Sequence, residues 1–286
     1  MTSPIPLDRL DRPALVLGAG TLGRRIALML ASAGGTVRIY DPVAETRTAA
    51  VEYITAELPG VVAARQGARA GQVESSADLD SAVAKAWLVV EAVPERLELK
   101  KKIFGDLDRL AEPDAILASN SSSYASRLFL DEVSRPERVL NIHFYMPPDH
   151  TAADIMSCGR TDRAVLDFVL DVLPRFGVHP FEARRESTGF IYNRIWAAVK
   201  REALAVVAGG VATPRDVDEM CRMNGGMSAG PFRMMDQVGL DVVLDIENHY
   251  AAENPALPEG PRTLLREYVD QGRLGVKSGS GFYDYP

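Results

Sequence analysis

"ALVLGAGTLGRRIALMLASAGGTVRIYDP", residues 14–42, decides how the first half of this chain folds. Residues 14–17 are an apolar run too short for a helix and closed by glycine, the pattern of a buried parallel strand. Gly18, Gly20 and Gly23 follow at G-x-G-x-x-G spacing. Ile26, Ala27, Leu30 and Ala31 then recur at helical spacing, and Gly34-Gly35 is expected to end that helix. A second strand, Val37 to Tyr40, finishes on Asp41. Each glycine has a physical task. Gly18 permits a tight turn, Gly20 lets backbone approach a pyrophosphate, and Gly23 lets the helix lie close on the sheet. The stretch Gly18, Ala19, Gly20, Thr21, Leu22, Gly23 thus forms a phosphate loop, and the helix N-terminus adds unpaired N–H groups and partial positive charge. Asp41 lies 18 residues past Gly23, where an acid accepts from both ribose hydroxyls. A carboxylate there repels a 2′-phosphate, so NAD is favoured over NADP.

Further apolar runs of strand length follow: "AWLVVEAV" (86–93), "AILASN" (115–120) and "VLNIHF" (139–144). Between the first two, "ERLELKKKIFGDLDRLA" is amphipathic, with Leu97, Ile103, Leu107 and Leu110 expected on its buried side. This alternation predicts an α/β fold with a doubly wound parallel sheet. Ligands bind such sheets beyond the carboxyl ends of the strands. Ala92, Glu95, Asn120, Ser122 and His143 all fall there, and the last strand is read as ending on His143.

The bulk numbers narrow the functional classes. With 286 residues the chain has room for two domains, and 47% hydrophobic and 25% charged residues are ordinary globular values. A net charge of −7 argues against general binding to nucleic acid or anionic membrane. The two cysteines, Cys158 and Cys221, make neither a disulfide framework nor a four-ligand zinc set. They are read as reduced thiols of a cytoplasmic protein, and no metal site is expected. No apolar run approaches the roughly 18 residues that span a bilayer. The start, "MTSPIPLDRLDRP", resembles neither a signal nor a transit peptide.

After "VHPFEARRE" (178–186) the alternation stops. The expected division is a cofactor-binding domain over 1–185 and an all-α domain over 186–286. "GFIYNRIWAAVKREALAVVAGG" reads as one long helix, apolar on most faces and so buried on several sides. "TPRDVDEMCR" has the N-cap and proline of a helix start. "GPFRMMDQVGLDVVLDIENHYAAE" reads as a third helical stretch. Met223, Met227, Met234 and Met235 are expected in core or pocket lining. His179 and His249 have no context that suggests chemistry.

Taken together the motifs resemble the 3-hydroxyacyl-CoA dehydrogenase family over nearly the whole chain. "GAGTLGRRIA" is similar to its cofactor loop and "VVEAVPERLELKKKIF" to its nicotinamide-ribose stretch. "ILASNSSS" resembles its "SNTSS", and "NIHFYMPP" the strand carrying its catalytic histidine. "GFIYNRI" and "AGPFRMMDQVGLDV" resemble its second-domain signatures, and "GVKSGSGFYDY" its C-terminal turn. The resemblance implies a Rossmann-type sheet, a helical second domain, NAD as cofactor and a homodimer built through the second domain. It implies hydride transfer between nicotinamide and the carbinol carbon of a 3-hydroxyacyl thioester. His143 is then general base in oxidation and general acid in reduction. Ser122 hydrogen-bonds the substrate oxygen, and Asn193 polarises that oxygen or holds the substrate. Ala92, Val93, Glu95, Lys100 and Asn120 line the nicotinamide half of the site. Bland alternatives stand beside these: a core histidine, an N-cap at Ser122, a packing role for Asn193, a solvated acid at Glu95.

Three departures from the family pattern matter. Met146 stands where the family has an asparagine three positions after the histidine. The family's orienting glutamate, some dozen residues later, falls on Ile155 when counted without gaps. Asp154 next door is the favoured partner, with Asp149 or no acid as alternatives. Finally, the segment after Asp41 is short, and Pro59-Gly60 and Gly67 are expected to break the family's long helical hairpin. Arg65 and Arg69 there read as a solvated basic face, with phosphate contact as the alternative. A carrier-protein thioester or a substrate without a thioester fits a trimmed hairpin. The competing readings are therefore a specialised ketoreductase, an imine reductase or a sugar-acid dehydrogenase. A non-catalytic NAD-binding protein is the alternative of another class.

Overall fold

The computed structural model describes residues 11–286. Residues 1–10, and with them most of the reading made of the N-terminal stretch, lie outside the described residues. The chain divides into two units, the first ending at Phe190 and the second spanning Ile191–Pro286.

The first unit is an eight-stranded sheet in the order β3-β2-β1-β4-β5-β6-β7-β8. The strands are β1 (Ala14–Leu17), β2 (Thr36–Tyr40), β3 (Gln72–Ser76), β4 (Leu88–Glu91), β5 (Ile116–Ser119), β6 (Val139–Met146), β7 (His150–Ser157) and β8 (His179–Ala183). All neighbours run parallel except β6 and β7. Helices α1 (Thr21–Ala31), α2 (Ala44–Ala63), α3 (Leu79–Val83), α4 (Leu97–Leu110) and α5 (Arg163–Val172) complete the unit. The apolar runs come from burial on both faces. Val16, Ile39, Val90 and Ile142 pack among residues of α1, α2 and α5, while Leu15, Leu17, Val89 and Leu117 pack against Phe104 and Leu107 of α4. The order of strands reverses between β1 and β4, which opens a crevice at their carboxyl ends.

Several expectations are corrected. β6 does not stop at His143. It continues to Met146 because β7 returns beside it, with a register shift between Phe144 and Met146. Pro59 and Gly60 do not break the segment after Asp41. α2 runs through both to Ala63, and its buried Ala50, Ile54 and Leu58 supply the packing that overrides the proline. In α4, Leu107 is buried but Leu110 is 38% exposed, and Lys100 takes the buried place instead. Arg65 is half-buried rather than part of a fully solvated face. Its Nη2 donates to Ser32 O and Oγ at 2.7 and 2.8 Å, and burial lowers its pKa. It lines a cavity with Ala14 and Thr36, at the amino ends of β1 and β2, the edge of the sheet opposite the crevice.

The second unit consists of α6 (Tyr192–Ala208), α7 (Pro214–Gly225), α8 (Pro231–Val238), α9 (Leu240–Glu253) and α10 (Gly260–Val269). Thr213 caps α7 in a capping box with Asp216, as the Thr-Pro start implies. The stretch read as a third helix is two helices, because Gly239 takes φ +105 between them. Leu204, Phe232, Met235, Leu240, Val243 and Leu265 form the core. α6 is not buried on several sides within this chain: Ala197, Lys200, Ala203 and Leu204 are covered, whereas Tyr192 and Ile195 are exposed. Met235 is core as expected, but Met223 is exposed. The C-terminal turn wraps a buried carboxylate. Asp236 accepts from Phe282 N and Tyr283 N at 3.0 Å each and from Tyr285 Oη at 2.9 Å. Burial and that hydrogen bond push the Tyr285 phenol well above its usual range. A Cβ at Gly281 would stand 2.2 Å from Asp236 Oδ1, which is why this turn needs glycine.

No helix among the described residues is long and apolar enough to cross a membrane. Among them no group of three or more His, Cys, Asp or Glu is arranged to hold a metal ion.

Candidate active site

Register fixes where the crevice begins. Leu17 pairs with Glu91, Glu91 with Ser119, and Ser119 with Asn141, so β1, β4 and β5 end at a common level. His143 lies two residues above that level, on the part of β6 that pairs with β7 alone.

The loop between β1 and α1 has the dimensions a dinucleotide requires. Gly18 takes φ +103, and a Cβ on it would stand 2.6 Å from Ala92 O. A Cβ on Gly23 would stand 1.8 Å from Gly18 O, whereas one on Gly20 would meet nothing within 4 Å. The loop is therefore closed on the protein side and open at Gly20, the cradle a pyrophosphate fills. Thr21, Leu22 and Gly23 form the first turn of α1, which has no side-chain cap, leaving N–H groups for an anion. Asp41 Oδ2 accepts from Ala19 N at 3.0 Å and Oδ1 from Val43 N at 2.9 Å, locking the acid against the loop. A cavity of about 780 Å³ runs along Gly18, Gly20, Asp41, Val43, Ala92 and Val93. These residues fit NAD.

Behind Ala92 and Val93 lies a buried charge network. Glu91 is fully buried, and its Oε1 accepts from Lys100 Nζ at 2.7 Å and Val93 N at 2.8 Å. Its Oε2 accepts from Ser119 Oγ at 2.7 Å. Lys100, 1% exposed, also meets Glu95 Oε2 at 3.1 Å. Glu95 Oε1 in turn accepts from Ser121 Oγ and from Ser123 N. Lys100 thus does not line the crevice; it ties the loop after β4 to the serine loop after β5. Glu95 precedes α4 and, though still partly exposed, is cross-linked to Lys100 and the serine loop. The sequence reading passed over Glu91, although a lone acid inside the apolar "LVVEAV" is the signal that a buried cation must exist for it.

His143 and Asp154 are direct cross-strand partners, so both side chains stand on one face of the β6–β7 ladder. His143 Nδ1 lies 3.4 Å from Asp154 Oδ2, and both residues are buried. Tyr145 Oη donates to the same Oδ2 at 2.5 Å. Phe190 stacks flat on the imidazole with centroids 5.1 Å apart and an interplanar angle of 7°. Its backbone has φ +53, unusual for a residue with a Cβ, and Ser187 Oγ donates to its carbonyl at 2.8 Å. Asp149, the alternative acid, is instead held by Arg25 Nη1 at 3.0 Å and is well exposed. Ile155 pairs with Ile142 and packs in the core on the other face.

Asn120 Oδ1 accepts from Phe144 N at 2.8 Å, holding β6 immediately after the histidine. Asn141 accepts from Ser126 N at 2.7 Å and donates to Tyr124 O at 3.0 Å, fastening the serine loop to the same strand. Tyr124 N bonds Ser121 Oγ at 2.8 Å, so Ser121, not Ser122, makes the turn. Ser122 is exposed, its hydroxyl 3.5 Å from that of Ser123. Asn193 lies in the first turn of α6, in the second unit. His179 lies against Thr151, and His249, in the second unit, lies against Glu253.

Family models match both parts of the chain: "3-hydroxyacyl-CoA dehydrogenase, NAD binding domain" over residues 14–186, and "3-hydroxyacyl-CoA dehydrogenase, C-terminal domain" over residues 189–285. The 3-hydroxybutyryl-CoA dehydrogenase of Mycobacterium tuberculosis is 34% identical over 282 residues, spanning 94% of this chain and 97% of that one. The human mitochondrial hydroxyacyl-coenzyme A dehydrogenase is 30% identical over 285 residues, 94% of this chain and 90% of its own. The crystal structure of (S)-3-hydroxybutyryl-CoA dehydrogenase PaaH1 from Ralstonia eutropha superposes with a TM-score of 0.86 at 27% identity, covering 96% of this chain and 99% of that one. An open glycine loop, an acid locked against it, and a histidine facing a carboxylate above the carboxyl edge of the sheet thus come with sequence likeness along both units, and the chain belongs to the 3-hydroxyacyl-CoA dehydrogenase family.

Proposed function

We propose that this protein interconverts a 3-hydroxyacyl-CoA thioester and its 3-keto form, with His143 as the acid–base group and Asp154 as its orienting carboxylate. The observation that carries the reading is the buried His143–Asp154 pair set two residues above the common end of β1, β4 and β5. NAD, when bound, supplies the acceptor for hydride from the carbinol carbon. In oxidation the hydroxyl proton goes to the His143 nitrogen that does not face Asp154, and in reduction it returns from there. The carboxylate at Nδ1 fixes the ring tautomer and stabilises the imidazolium once formed. The exposed Ser122 hydroxyl is assigned to the substrate oxygen, and Asn193 is assigned to polarise or hold that oxygen on its family motif. Gly18 to Gly23 bind the pyrophosphate, Asp41 the ribose, and Ala92, Val93 and Asn120 border the nicotinamide half. Glu95 and Lys100 act at one remove, by fixing the loops that carry Val93 and Ser122. We place the cofactor part within 1–185 and the substrate and dimerisation part within 186–286, in a cytoplasmic protein. Following absorbance of NADH with acetoacetyl-CoA tests the activity: oxidation above the background rate supports it, and intact NADH binding without turnover refutes it.

Charge at Asp41 sets the cofactor preference. Asp41→Asn keeps an acceptor for Ala19 N but removes the repulsion toward a 2′-phosphate. The preference for NADH over NADPH in kcat/KM is expected to fall by roughly tenfold or more. An unchanged ratio would remove Asp41 from the discrimination.

The homodimer implied by the family motifs is supported by Tyr192, Ile195, Met220, Met223 and Val238, all exposed on the second unit of the single chain. Light scattering at micromolar concentration should give twice the 31.1 kDa chain mass. A monomer there would overturn this.

A further inference from the structure

A third group closes the pairing of His143 with Asp154, and the chemistry above does not use it. Tyr145 follows His143 by two residues on β6, so its side chain stands on the same face of the sheet. Its hydroxyl donates to Asp154 Oδ2 at 2.5 Å, the oxygen that lies 3.4 Å from His143 Nδ1. Its ring meets the imidazole edge-on, with centroids 4.7 Å apart. One carboxylate oxygen therefore faces two groups, and the phenol has the shorter contact. A hydrogen bond donated to a carboxylate stabilises the anion and reduces the charge it offers a second donor. The longer Nδ1 contact is the geometric counterpart of that sharing.

We infer that Tyr145 is a positioning residue for the acid–base pair, a reading that rests on the assignment of His143 and Asp154 above. It holds the Asp154 carboxylate in place beneath the imidazole. By taking part of the carboxylate's charge, it weakens the hold of Asp154 on the imidazolium. The other contacts of the ring carry no charge: Phe190 covers one face, and Asn120 binds the neighbouring Phe144 backbone rather than the imidazole. Asp154 from β7 and Tyr145 from β6 are thus the titratable groups that the described residues bring against His143.

Tyr145→Phe tests this, because it keeps the ring and removes only the hydroxyl. In the oxidation direction, the inflection of kcat/KM against pH at which the base becomes competent should move up by about one pH unit. NMR titration of the His143 imidazole in the NADH-bound protein should show the same upward move and requires no turnover. In an Asp154→Asn background, removing the hydroxyl should shift neither readout, since the charge being shared is gone. An unmoved or lowered titration midpoint in Tyr145→Phe would overturn the inference and leave Tyr145 a packing residue. Failure to turn over any 3-hydroxyacyl thioester would instead strike the proposed function, while the NMR titration would still decide the role of Tyr145.

Discussion

His143→Ala is expected to lower turnover of acetoacetyl-CoA by roughly 100- to 10,000-fold, the usual contribution of a positioned acid–base group. NADH affinity should stay within about threefold, because no part of the glycine loop or of Asp41 touches the ring and a threefold change is only ~0.7 kcal/mol. The loss should fall on kcat rather than on cofactor binding, since the proton moves in the transition state. The replacement also leaves Asp154 buried without its imidazole, held by Tyr145 alone. A thermal melt must therefore accompany the assay, so that loss of fold is not read as loss of chemistry. A variant that stays folded, binds NADH and keeps a substantial share of the rate would refute the assigned role.

Lys100→Met carries the largest expected effect on stability. It leaves Glu91, which is 0% exposed, without its cation. Breaking a buried pair by removing one partner costs about 3–5 kcal/mol. Val93 N and Ser119 Oγ still donate to Glu91, which sets the result nearer the lower end of that range. The consequence is local as well as global. Glu95 loses its hold on Lys100 and stays tied only to the serine loop, so the turn bordering the nicotinamide half loosens. Chemical denaturation should show the drop, with a weakened NADH affinity in the folded fraction. The double variant Lys100→Met with Glu91→Leu should recover much of the stability, because the stranded charge is then gone. A single variant as stable as the parent would mean that Glu91 carries no charge in the folded protein.

The glycine loop was legible because its determinants are local. Strand, three spaced glycines, helix and terminal acid occupy one continuous stretch, and each reports a steric or electrostatic need within a few residues. The structure adds the reason at Gly23, whose Cβ would meet the Gly18 carbonyl. Helix starts were legible for the same reason, as Thr213 and Pro214 show. Breakers were less dependable. Pro59 costs α2 one hydrogen bond, but Ala50, Ile54 and Leu58 are buried on the same helix, and that packing outweighs it. No local rule contains this, because the partners of that face come from elsewhere in the chain.

Residues by themselves determined the fold class and the glycine spacing and acid of the β1–β2 unit, and they singled out His143. Which carboxylate faces that histidine was a matter of tertiary structure. Counting positions points to Ile155, but side chains alternate across a strand, and a slip of one residue exchanges the faces. The β6–β7 register pairs Ile142 with Ile155 toward the core of α1 and α5, and His143 with Asp154 on the opposite face. The same pairing carries β6 past His143, brings Tyr145 onto the shared oxygen, and sends Asp149 away to Arg25. Lys100 follows the same logic: it shares the buried face of α4 with Phe104 and Leu107, and the buried Glu91 on the neighbouring strand gives its charge a partner there. Periodicity is written in consecutive residues, whereas register and the pairing of buried charges depend on which distant segment folds alongside.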